Sequence, residues 1–289
     1  VKEPLRRLLS GVFDYAGLFP PAALPMEGAA REYAALARSQ DAWVLGRFVC
    51  PVSGLDGLLA LLPEGSDGWP VTVLGSSLEG FRQDLAAVER FEGKARGRAM
   101  VLGYEVRARP EEVSLATLRR VANSMFDDAY IELPWGDSAL EAMQTIAGVE
   151  AIGVKARTGG AEAASLPSTT EVAAFLQEAI NLDLRLKLTA GLHQPLGGRD
   201  ASAGAYRHGF LTVLVAGCLA LCHDLSRKEI EEVLTIEEAG ALWFSDLGLG
   251  WGDFEASLDD ISDFRAQFGS IGTCSVAEPL EGLARLGLA

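Results

Sequence analysis

Two lysines, Lys155 and Lys187, sit in look-alike segments, AIGVKARTGG and LRLKLTAGLH. Each has apolar neighbours on both sides and a glycine a few residues on, the pattern of a strand delivering a cation to a turn. A lysine among apolar residues is costly unless it is paired or used. Two ammonium groups held close depress each other's pKa, and a lysine shifted toward neutrality is a nucleophile for a carbonyl carbon. Imine chemistry on a small carbonyl compound is therefore the first chemistry this pair calls for.

The elements that position the lysines read as strand, turn and helix, repeated. Strands are expected over 43–50, 70–75, 99–106, 129–135, 151–157, 184–189, 241–245 and 270–275. Amphipathic stretches between them cover 54–62, 77–90, 110–122, 137–146, 168–180, 206–234 and 254–267. Strands alternating with helices imply a parallel sheet. Eight strands in 289 residues fit an α/β fold of the (β/α)8 TIM-type barrel, as one domain over 1–289. An open doubly wound sheet is the alternative. The first 27 residues, with FDYAGLFPPAALP, read as an irregular cap over one barrel end, although Asp14 and Tyr15 also fit the rim of a pocket.

Strand alternation sorts the side chains. Ile152, Val154 and Ala156 form an apolar outer face, so Gly153, Lys155 and Arg157 point inward. The same logic sends Lys187 and Thr189, Tyr130 and Glu132, and Gly103 and Glu105 inside. Glu132, Lys155, Arg157 and Lys187 thus share one interior, toward the strand ends where barrels do chemistry. Glu132 is a candidate proton carrier as well as an ion-pair partner. Arg185 lies deeper and suits a structural ion pair.

Further candidates lie in loops on the same side. His193, in GLHQP, is a candidate proton shuttle or anion contact. The turn Arg157, Thr158, Gly159, Gly160 offers a guanidinium, a hydroxyl and free amides as an anion cradle. Arg47, Arg207 and His208 are added as anion-binding candidates. The 245–253 loop has three alternate glycines, but Asp246 and Asp253 repel phosphate, and a plain turn is favoured there. A metal-dependent or acid–base barrel using Glu105, Glu132, His193 and Asp246 is a rival, with no tight ligand spacing behind it. A non-catalytic barrel with an ionic core is another. The lysine chemistry needs no cofactor and no metal.

A formal charge of −15 and a pI near 4.7 argue against nucleic-acid and anionic-membrane partners. A small anionic substrate remains compatible, because a site can be locally basic. Four cysteines are too few for a disulfide framework, and Cys218 and Cys222 read as buried thiols on an apolar helix. The opening VKEPLRRLLSGVFDYAG carries no secretory pattern, and a reducing cytoplasm is the expected compartment.

The segments DYAGLFPPA, KARTGG, KLTAGLHQP and FGSIGTCSVAEPL together resemble a bacterial protein family of unknown function. They span nearly the whole chain and imply no activity. Locally, KARTGG and KLTAGLH resemble the two lysine strands of deoxyribose-phosphate aldolase, a class I aldolase. That resemblance implies Lys155 as the Schiff-base lysine and Lys187 as its cationic neighbour. Arg157 has no counterpart in that motif, the acidic proton relay lacks a clear match apart from Glu132, and the strand count before Lys155 differs by one.

Overall fold

The computed structural model describes residues 1–65, 68–160, 166–200 and 204–288. Among them the strands are β1 (Phe13–Tyr15), β2 (Leu45–Pro51), β3 (Trp69–Leu74), β4 (Ala99–Arg107), β5 (Asp128–Leu133), β6 (Ile152–Arg157), β7 (Leu186–Thr189), β8 (Gly198–Asp200), β9 (Ala205–Arg207), β10 (Leu242–Phe244), β11 (Gly248–Trp251), β12 (Phe254–Ser257) and β13 (Phe268–Thr273). The helices are α1 (Glu3–Leu9), α2 (Met26–Leu36), α3 (Leu55–Leu59), α4 (Phe81–Ala95), α5 (Leu115–Ala122), α6 (Asp137–Ala147), α7 (Thr169–Asn181), α8 (Phe210–His223), α9 (Arg227–Leu234), α10 (Leu258–Gln267) and α11 (Ala277–Arg285). Strands β1 to β7 and β13 close into a parallel barrel, the single-domain TIM-type fold. Closure rules out the open-sheet alternative.

The helices form where the sequence starts them. Ser114, Ser168, Ser226 and Ser257 each accept a hydrogen bond from the backbone three residues on, opening α5, α7, α9 and α10 with a capping box. The apolar outer faces of the strands, Ile131, Val154, Leu186 and Leu188 among them, are buried. Helix α8 is apolar on every side, with Phe210 to Ala220 buried. It packs against α7, α9, α10 and β12, which leaves it no wet face. No helix among the described residues is long and apolar enough to cross a membrane.

Two expectations about the strands need correction. The first 27 residues are not an irregular cap: they hold α1 and the barrel strand β1. Phe13 and Tyr15 point outward, the former edge-on to Phe210 at 5.2 Å, the latter beside Tyr33 and Phe48. Asp14, between them, faces in. Only the loop after β1, with Phe19, Pro20 and Pro21, lies at a barrel mouth. The expected strand over 241–245 exists as β10, but it pairs antiparallel with β11 and belongs to a separate sheet with β12. Its alternation serves that side sheet, which packs on α1, α8 and α10. The long loop after β7 carries the β8–β9 hairpin; positions 201–203 of it lie outside the described residues.

Deleting Val1–Ala16 removes a barrel strand, so the truncated chain should lose cooperative thermal unfolding by circular dichroism. A soluble fragment melting like the full chain would restore the cap interpretation.

Candidate active site

Parallel register places the ionic residues side by side. Lys155 stands opposite Lys187 across β6–β7 and opposite Glu132 across β5–β6. Glu105 and Arg107 come from β4, with Arg107 opposite Glu132. Lys155 Nζ is 2.6 Å from Glu105 Oε2 and 2.8 Å from Glu132 Oε2. Lys187 Nζ contacts Glu105 Oε1 and donates to Asp14 Oδ2. The Glu105 contact is an ion pair off the hydrogen-bonding direction, since Oε1 accepts no aligned bond. Glu105 therefore takes one lysine on each oxygen.

The chain of opposite charges continues at both ends. Asp14 Oδ1 accepts the Arg47 backbone N–H at 2.7 Å, and Oδ2 accepts the Ser270 hydroxyl at 2.9 Å. Glu132 Oε1 accepts from Arg107 Nη2 at 2.8 Å and from Arg157 Nε at 3.4 Å. Asp14, Glu105, Glu132, Lys155 and Lys187 are all buried. Four cations face three carboxylates, and the excess lies with the partly exposed Arg107 and Arg157.

Burial opposes the charge on Glu105, but Lys155 and then Lys187 outweigh it and lower its pKa to about 2. Glu132 also settles at about 2, burial being overcome chiefly by Lys155 and then Arg157. Near neutral pH it is a carboxylate, able to accept a proton but with none to give. For Lys187, burial disfavours the ammonium, yet Asp14 and Glu105 raise its pKa above the ordinary value. Mutual depression by a neighbouring lysine is thus not what governs Lys187: interposed carboxylates win.

Lys155, Lys187, Glu105, Arg157 and His193 open on one cavity at the C-terminal mouth, about 530 Å³ of empty space partly continuous with solvent. Its other wall is Ala16, Phe19, Val49 and Leu74. His193 Nδ1 lies 3.1 Å from Glu278 Oε2 without an aligned hydrogen bond. Burial lowers its pKa more than Glu278 raises it, so the imidazole is neutral at pH 7.

Other expected site residues are placed elsewhere. Thr158 donates its hydroxyl to the Ala190 carbonyl, and its N–H to Thr189. Gly159 packs on Gly191, where a methyl group would come 2.5 Å from the Cα. Neither these two nor Gly160 lines the cavity, so the anion cradle reduces to Arg157. Arg207 is bound to Asp200 in the hairpin, and His208 is buried against the Pro167 carbonyl. Asp246 lies between β10 and β11, away from the cavity. Among the described residues no three His, Cys, Asp or Glu side chains gather as a metal site, and Glu105 and Glu132 already carry cations.

Arg47 belongs to a second ionic layer toward the N-terminal end. It meets Asp128, which also takes Arg185, the structural ion pair expected of Arg185. Tyr130 separates the layers, with its ring 5.8 Å from Lys187 Nζ; Gly153 leaves it room, since a methyl there would come 2.7 Å from the ring. Two residues escaped the sequence reading. Arg107 follows Glu105 by two on the same face but falls one residue past the expected strand end. Asp14, expected at a pocket rim, faces the interior, the direction that alternation in FDY gives it.

Comparison with protein-family models, with curated proteins and with solved structures gives no match for this chain.

Glu105 and Glu132 titrate lower in the folded chain than their ordinary 4.5. Their contribution to stability is therefore complete above pH 4.5 and disappears as pH falls toward 2. Glu105→Gln should cost about 3–5 kcal/mol at pH 7, because it strands two buried ammonium groups. It should also flatten the acid decline of stability, both read by urea denaturation. An unchanged midpoint would mean that the lysines do not depend on the bridge.

Proposed function

We propose that the chain is a barrel enzyme acting on a small anionic carbonyl compound, a carboxylate or a phosphate, through an imine on Lys155. The observation that carries this is the Lys155–Glu105–Lys187 bridge opening, with Arg157, on one cavity at the C-terminal mouth. That end of a TIM-type barrel is where such folds do chemistry. Lys155 Nζ adds to the carbonyl carbon, and the carbonyl oxygen leaves as water. The proton that Lys155 must shed first goes to His193, a neutral imidazole on the same cavity wall. Lys187 stays cationic beside the reacting centre, stabilising negative charge that develops there. Arg157 holds the anionic group of the substrate.

Counting Phe13–Tyr15 as the first barrel strand moves Lys155 to the sixth and supports the likeness to deoxyribose-phosphate aldolase, whose count differed by one. Glu105, in contact with both lysines, joins Glu132 as a candidate for the acidic residue. That placement supports class I lyase or aldolase chemistry.

One observation favours a non-catalytic ionic core instead: each lysine already meets two carboxylates. Such a core forms no covalent adducts. Borohydride reduction with a panel of carbonyl compounds should leave a mass adduct on Lys155 and none in a folded Lys155→Met variant. Adducts on Lys187 alone, or on neither lysine across the panel, would sink the assignment.

A further inference from the structure

The cavity has two unlike walls, and they narrow the substrate. Resting on the imine chemistry proposed for Lys155, we infer that the substrate is a short aliphatic 2-oxo acid: its carboxylate on Arg157, its 2-carbonyl at Lys155, its alkyl end against Val49 and Leu74.

Spacing is the first ground. Lys155 Nζ meets one oxygen of Glu132 at 2.8 Å, and Arg157 Nε meets the other at 3.4 Å. Both cations thus converge on one carboxylate, from positions two apart on β6. A 2-oxo acid, whose carbonyl carbon adjoins its carboxylate, can meet both at once. In a 4-oxo acid or a sugar phosphate, several atoms separate the two.

The anion itself is the second ground. A phosphate dianion is usually met by several amides or hydroxyls. Here the Thr158 hydroxyl and N–H are taken by backbone carbonyls, Arg207 is on Asp200, and the glycines of 248–252 belong to the side sheet. Arg157 remains. Among the described residues only its Nε meets a carboxylate, and its side chain is 41% exposed. Its terminal nitrogens suit a two-point grip on one carboxylate.

The opposite wall is the third. Ala16, Phe19, Val49 and Leu74 offer no side-chain partner to a hydroxyl, and Thr189 donates to the Gly272 carbonyl. A polyhydroxylated chain would lose its hydrogen bonds to water on that wall, whereas an alkyl chain gains by leaving water.

The test is borohydride trapping on the full chain with pyruvate, 2-oxobutanoate, 2-oxoisovalerate, glyceraldehyde 3-phosphate and propanal, quantified at Lys155 by peptide mass. The 2-oxo acids should label Lys155 at concentrations about tenfold or more below the others, the worth of a charge-assisted bidentate contact. Arg157→Gln should cut the ratio of 2-oxo-acid to propanal labelling by a similar factor, with Arg157→Lys restoring part of it. Should the variants fail to fold, the wild-type order of the five compounds decides alone. Preferred labelling by the sugar phosphate or propanal overturns the 2-oxo-acid assignment and leaves the imine intact. No labelling of Lys155 by any of the five overturns both.

Discussion

One carboxylate holds the interior together. Glu105 sits 1% exposed with Lys155 on one oxygen and Lys187 on the other. Without it, two ammonium groups on neighbouring strands would face each other where water cannot screen them. With it, like-charge repulsion becomes an alternating row, Asp14, Lys187, Glu105, Lys155, Glu132, running through the barrel interior. Burying five charges carries a desolvation cost that close pairing only offsets. The arrangement therefore does not maximise stability. It fixes two amines at one end of a barrel, in register.

Barrel closure depends on the same row. Strand β1 is three residues long, too short to contribute much ladder of its own. Its central residue compensates: Asp14 accepts the Arg47 N–H from β2, the Ser270 hydroxyl from β13 and the Lys187 ammonium from β7. Those strands lie on both sides of the seam where the first and last barrel strands meet. The N-terminal segment thus closes the sheet and anchors Lys187 through a single side chain.

Much of this was legible in alternation. Lys155, Lys187, Glu105 and Glu132 face inward as a period of two requires, because long apolar outer faces leave no other choice of register. What alternation could not reveal was which short segment completes the barrel. ALWFS and FDY are both brief and hydrophobic, and the longer one looks more like a strand. The difference lies in long-range pairing: Trp243 and Phe244 find antiparallel partners in Gly250 and Leu249, close downstream, while Phe13 pairs with Leu45 and Ile271. Placement of Arg47, Arg207 and His208 failed for a related reason. A cation near a strand or helix end reads the same whether it is free or already held, and Asp128, Asp200 and the Pro167 carbonyl hold them here.

The two ionic layers differ in one respect that bears on function. Toward the N-terminal end, Asp128 is saturated by Arg47 and Arg185, and the group has nothing left over beyond its two guanidinium edges. At the C-terminal mouth, Glu132 is shared among Lys155, Arg107 and Arg157, more cations than one carboxylate can satisfy. In the proposed reaction an incoming carboxylate would compete with Glu132 for the exposed Arg157 rather than for a buried lysine. With Arg157 on such an anion, Glu132 would keep Arg107 and Lys155 as neighbours, and Lys187 would keep Asp14 and Glu105. Binding of an anion there would leave the Lys187 ion pairs in place, because the cation that must move is the exposed one.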